Sequence, residues 1–168
     1  MVPRVTVLGT IHMVQGAEKR AGNHHDPMYL ALLNKLLASE GVDFIFEEAS
    51  GLGPTIAEKL AQEKLGSGHY LDIDPARHDR AEFAIPSISQ EPHMIGTPPS
   101  VAFANWQILE VHAKRENLWI QRIKQHHFES ALMICGLVHL LSMGFRLQEA
   151  KFSVQAIDYA NWLRKPVF

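Results

Sequence analysis

Apolar residues along the chain fall into two patterns, short continuous runs and longer stretches with three-to-four spacing. Val5-Thr6-Val7-Leu8 is a continuous, largely β-branched run that halts at Gly9, the pattern of a strand buried on both faces of a parallel sheet. A polar, glycine-containing stretch from Gly16 leads to Asp26-Pro27, an N-cap followed by proline at the first helical position. Leu30, Leu33, Leu36 and Leu37 then recur at helical spacing, and Gly41 supplies the stop. Val42 to Phe46 predicts a second strand that delivers Glu47 and Glu48. Beyond it, Gly51, Gly53 and Pro54 open a second helix that runs through Leu65 and stops at Gly66. Tyr70 to Asp74 predicts a short third strand ended by Pro75 and the charged segment Arg77 to Glu82.

Ile85 to Ser100 holds four prolines and little periodicity, which predicts a long loop, and loops of that length commonly act as flaps over a site. Val101 to Gln125 contains neither proline nor glycine and predicts the longest helix. Ile108, His112, Arg115 and Trp119 lie on one face, and Leu109, Ala113, Glu116 and Ile120 on its neighbour. Ala131 to Cys135 is another buried strand. It ends at Gly136-Leu137-Val138-His139 in the same way that the first ends at Gly9-Thr10-Ile11-His12. Met143-Gly144 predicts the close of a short turn or helix, and Phe145 to Ile157 one or two final strands. The alternation of strands and helices predicts a single α/β domain with a mostly parallel central sheet flanked by helices.

Composition narrows the function classes. The 168 residues suffice for one domain with a substantial core; 46% are hydrophobic and 20% charged, and the net charge is −2 at pH 7. That balance argues against a polyanion-binding surface, so no nucleic-acid partner is expected. No stretch approaches the roughly 20 apolar residues of a membrane helix, and the N-terminal apolar run is too short for a signal peptide, so no membrane association and a cytoplasmic location are expected. Cys135, the sole cysteine, lies in an apolar run and reads as a buried thiol.

Ten histidines are many for this length. In a parallel sheet, ligands bind beyond the carboxyl ends of the strands, where three strand ends here are polar: Gly9 to His12, Glu47-Glu48 and Gly136 to His139. Each glycine is expected to permit a sharp turn that brings the histidine back to the sheet crest. Two imidazoles and a carboxylate from distant parts of a chain form a common ligand set for zinc or another divalent ion, here His12, His139 and Glu47. Each has a plainer reading: a single histidine after a strand is more often a hydrogen-bonded core residue, Glu47 suits the N-terminus of the following helix, and Glu48 suits solvent. Arg115 and Glu116 sit on largely apolar helix faces, where a charge must be paired or given a ligand. They read either as a structural ion pair or, for Arg115, as an anchor for an oxyanion or carboxylate, with Asn117 assisting. Asp72 and Asp74 either join the site or cap the next helix. His126-His127 suits a helix C-terminus, His24-His25 a solvated loop, and His69, His78, His93 and His112 form no constellation.

The order Gly9 to His12, Phe46-Glu47 at a strand end, Arg115-Glu116-Asn117 in a long helix and Gly136 to His139 resembles the TraB, PrgY, GumN and Tiki superfamily. It resembles more distantly erythromycin esterase and the haem-binding ChaN proteins. The likeness spans Val5 to about Leu147, on short motifs made specific by their order. It implies a metal-dependent hydrolase with peptidase-like activity. His12, Glu47 and His139 would hold a divalent ion (Zn, Mn or Co), Glu47, Arg115 and Glu116 would be catalytic, and a small molecule or peptide would be the substrate. The ChaN likeness implies instead a non-catalytic haem, metal or small-ligand binder. The chain is short for the family, which leaves room for a homodimer to complete the pocket.

Overall fold

The computed structural model describes residues 2–11, 14–16, 26–49, 54–74, 80, 84–85 and 98–163, the side chains of 98–109 and 163 apart. Five strands form one sheet: β1 (Arg4–Thr10), β2 (Phe44–Glu47), β3 (Tyr70–Asp72), β4 (Ser130–Gly136) and β5 (Ser153–Asp158). Their order is β3-β2-β4-β1-β5, and every neighbouring pair is parallel. The helices are α1 (Pro27–Ser39), α2 (Ile56–Lys64), α3 (Pro98–Lys124), α4 (Leu140–Glu149) and α5 (Tyr159–Leu163). A 3-10 turn, Leu137–His139, joins β4 to α4. None of the helices among the described residues is long and apolar enough to cross a membrane.

Both sheet faces are covered, which explains the continuous apolar runs. Leu8, Ile45, Leu132 and Ile134 point to one side and pack with Tyr29, Leu33 and Leu36 of α1 and with Leu60 of α2. Val5, Val7, Phe44, Phe46, Met133 and Cys135 point to the other and pack with Trp119 and Ile123 of α3 and with Leu140, Met143 and Leu147 of α4. Cys135 is a free, buried thiol, and burial together with the Glu48 and Glu116 carboxylates pushes its pKa well above the ordinary value.

The local signals for α1 and α2 act as their chemistry requires. Asp26 caps α1 by accepting from the Met28 amide at 2.9 Å, with Pro27 beside it. Gly41 (φ 58°) and Gly66 (φ 93°) take the left-handed conformation just beyond the two helices. Two element boundaries differ from expectation. The long helix begins at Pro98 rather than Val101. The flap expected over residues 85–100 lies largely outside the described residues. Residues 140–149 form a helix instead of ending at Gly144, and a single strand follows. Leu140, Met143 and Leu147 recur at helical spacing, and burying them on the sheet outweighs the conformational cost of one helical glycine.

Gly9 also differs in its physical role. It lies within β1 rather than in a turn, paired with Cys135, and a Cβ there would come within 2.9 Å of Leu140 Cβ and 3.1 Å of Leu137 Cδ1. The glycine is a packing residue that lets α4 close onto the strand. Gly9→Ala is therefore expected to destabilise the fold by about 1–3 kcal/mol, the usual cost of overpacking. A urea midpoint equal to that of the parent protein would show that α4 can yield.

Candidate functional site at the carboxyl edge

β1 leads towards α1 on one face of the sheet, whereas β4 leads into α4 on the other, so the adjacent carboxyl ends of β1 and β4 form a topological switch point. Thr10 and Gly136 are paired there. Glu47 ends β2 one strand away, and Glu48 follows it.

Glu47 and Glu48 leave the strand on opposite faces, because successive side chains alternate. Glu48 goes to the α3 and α4 side. Its Oε2 accepts from the Gly136 amide at 2.8 Å and its Oε1 from Arg115 Nη2 at 2.5 Å. The same Nη2 lies 2.7 Å from Asp74 Oδ1, and Arg80 Nη2 lies 3.1 Å from Asp74 Oδ2. All four side chains are buried. Arg115 also stacks over Trp119, 5.1 Å from the ring centroid. Arg122 donates to the carbonyls of Ile73 and Asp74, which fixes the chain beyond β3.

The second half of the assembly surrounds His139. Nδ1 is 2.8 Å from Glu116 Oε1 and Nε2 is 4.0 Å from Glu48 Oε1. The ring packs edge-on against Trp119 at 4.9 Å and tilted against His112 at 4.4 Å. Glu116 also accepts from Ser142 Oγ at 2.6 Å and from Arg146 Nε at 2.8 Å, and Arg146 reaches Asn117 Oδ1 at 2.7 Å. Burial works to raise the Glu116 pKa, but the bonds from His139, Ser142 and Arg146 outweigh it and hold the carboxyl below its ordinary value. An ionised Glu116 on Nδ1 makes that nitrogen the proton carrier and Nε2 the acceptor in a neutral ring.

Glu47 is enclosed on the opposite face, with α1 and α2. It accepts from Gln15 Nε2 at 2.9 Å, Thr55 Oγ1 at 2.5 Å and the Tyr70 hydroxyl at 2.9 Å. Thr55 is the N-cap of α2, so Glu47 meets that helix through its capping hydroxyl and not as the capping anion itself. Complete burial pushes its pKa up to about 7, against the lowering effect of the three hydrogen bonds.

Of the residues expected at the site, Arg115, Glu116 and His139 are thus brought together on one face, while Glu47 lies on the other. His12 lies outside the described residues. The described residues do not assemble the expected metal set: Glu47 and His139 are separated by the sheet, and no group of three or more His, Cys, Asp or Glu among them is arranged for an ion. Glu48, expected to suit solvent, is buried in this assembly, and Asp74, for which joining the site and capping were both open, is part of it. Asp72 accepts from the Ala49 and Asp74 amides at 3.2 and 2.9 Å. The signal for Glu48 was available in strand alternation: Phe46 faces the long helix, and so must Glu48.

Comparison with known proteins returned no matching family model, curated protein or solved structure. The class is therefore set by the fold and site alone: an all-parallel α/β domain with a buried carboxylate, guanidinium and imidazole assembly at its switch point.

Two outcomes are expected. Arg115→Ala removes the guanidinium that the buried Glu48 and Asp74 carboxylates share, and should cost about 3–5 kcal/mol in chemical denaturation; a loss below about 1 kcal/mol would mean the pair is solvated. For Glu47, the folded carboxyl keeps its proton to about pH 7, whereas an unfolded one releases it near 4.5. Its contribution to stability is full below about pH 4.5, declines through the window up to about 7 and is absent above it. The parent protein should lose a few kcal/mol across that window relative to Glu47→Gln, at about 1.4 kcal/mol per tenfold change in proton affinity. Parallel stability curves for the two proteins would remove the assignment.

Proposed function

We propose that the chain is a hydrolase of carbonyl compounds, esters or amides, in which His139 is the general base. The observation that carries this reading is the contact of Glu116 with His139 Nδ1 at the switch point, with Nε2 turned towards Glu48. Packing against Trp119 and His112 holds the ring in one orientation, the condition for proton transfer at a defined atom. In the reaction, Nε2 takes a proton from water as the water oxygen bonds to the substrate carbonyl carbon. The tetrahedral adduct then collapses, the bond to the leaving group breaks, and the proton on Nε2 passes to that group. Glu116 stabilises the transient imidazolium and does not itself take the proton. Arg115 acts through Glu48 and Asp74 as a positioning residue.

Hydrolysis is also what the resemblance to TraB, GumN and Tiki proteins implies. The divalent ion of that expectation is assigned no step, since Glu47 does not share a face with His139. The small-ligand binder is the second reading, favoured by a cavity of about 130 Å³ lined by Gly9, Thr10 and Leu137 beside the same turns.

The test is turnover of p-nitrophenyl esters and a fluorogenic peptide, with and without added Zn²⁺, Mn²⁺ or Co²⁺. His139→Ala should lose roughly 10²–10⁴-fold in kcat/KM while keeping its circular dichroism spectrum, the usual contribution of a general base. Glu116→Gln should lose less and shift the pH profile. Equal turnover by parent and His139→Ala, or none by the parent under any of these conditions, would overturn the reading.

A further inference from the structure

The cavity beside β1 differs in character from the charged assembly. Its walls come from Gly9, Thr10 and Val14 on one side and from Tyr159 and Ala160 on the other, and they are almost wholly apolar. At about 130 Å³ it approaches the roughly 150 Å³ apolar cavity that stays dry and takes a single benzene ring. Its polar features are few. Tyr159 donates its hydroxyl to Asp26 Oδ2 at 2.5 Å, and Asp26 also caps α1, so both groups are engaged in the fold. Thr10 has a buried hydroxyl with no hydrogen-bond partner among the described residues.

Two further lining residues, Ile11 and Leu137, are partly exposed and carry the cavity wall out to the surface. From there the apolar surface continues. Val138, Leu141 and Phe145 are 73%, 71% and 66% exposed, the largest exposures among the apolar side chains on this edge. Their spacing places them along one side of the 3-10 turn and α4, opposite Leu140, Met143 and Leu147, which face the sheet. An apolar cavity that opens onto a linear apolar ridge matches an extended aliphatic chain: part of it fills the cavity, and the remainder lies along the ridge. A compact ring would fill the cavity and leave the ridge in water.

From this continuity we infer that the site binds molecules bearing a medium-length aliphatic chain, seated between β1 and α5 and extended over Leu137, Leu141 and Phe145. Binding of such a chain stands independently of the hydrolase reading, and only its chemical role rests on that reading: the aliphatic chain is then the acyl portion of the substrate.

Binding is tested without a hydrolysable bond by titrating the whole protein with octan-1-ol and butan-1-ol and measuring tryptophan emission, since Trp162 stacks on the lining residue Tyr159 at 6.2 Å. Octan-1-ol should bind at least about tenfold more tightly, because the four additional methylenes lie against the ridge. The double variant Leu141→Ser, Phe145→Ser should bring octan-1-ol down to the butan-1-ol level. Ala160→Phe, at an exposed position on the cavity wall, should abolish binding of both alcohols. Should Ala160→Phe fail to fold, Ile11→Glu makes the same test by placing a charge in the wall. Equal affinity for the two alcohols in the parent protein, or unchanged binding when the wall is altered, would overturn the inference. His139→Ala should bind both alcohols as the parent does. A His139→Ala protein that binds normally beside a parent that hydrolyses nothing would therefore sink the hydrolase reading and leave this one standing.

Discussion

The structure depends on a constraint at the end of β2, where two adjacent carboxylates leave a strand whose faces are both buried. A carboxylate taken out of water costs several kcal/mol unless protein groups replace its hydration. The two glutamates meet that demand in different ways. Glu48 lies between the Arg115 guanidinium and the Gly136 amide. Glu47 is met by uncharged donors, Gln15, Thr55 and Tyr70, and its proton affinity rises instead. One residue of offset thus produces an ionic assembly on one face and a protonatable, neutral network on the other.

Each network also ties distant parts of the chain together. Gln15 donates to Glu47 and its carbonyl accepts from the Ile56 amide, so the segment after β1 is fastened to the start of α2. On the other face, α3 supplies Arg115, Glu116 and Arg122, which hold the end of β2, the chain beyond β3 and the turn after β4. The helix that looks amphipathic with misplaced charges is the clamp of the carboxyl edge. Those charges are costly when buried alone and less so when they meet partners of opposite sign.

The switch point then has two sides of unlike chemistry. The polar side carries an imidazole whose Nδ1 is fixed and whose Nε2 faces a second carboxylate. The apolar side, reached across Gly9 and Leu137, carries a small cavity and an exposed ridge. Gly9 belongs to both, since the absence of a side chain there lets Leu140 and Leu137 sit against β1. Polar clusters and apolar recesses are the two ingredients from which small-molecule sites are generally built.

By itself the chain determined the layered α/β plan. The continuous runs Val5 to Leu8 and Ala131 to Cys135 have the length and pattern of strands in a doubly covered sheet, and Asp26-Pro27, Gly41 and Gly66 place helix ends by local sterics and capping. The strand-end location of Glu47, Glu48 and His139, and the anomaly of Arg115 and Glu116 in an apolar helix, were legible for the same local reasons. Partner choice was not. Whether Glu47 or Glu48 meets His139, and whether Asp74 serves as a cap or as a counter-ion, turns on strand order and on which face each helix covers. Those are properties of long-range packing, in which residues such as 48 and 115 or 116 and 139 meet only after the sheet has assembled. The role of Gly9 was decided in the same way: its backbone is ordinary, and only the approach of α4 makes a side chain there too large.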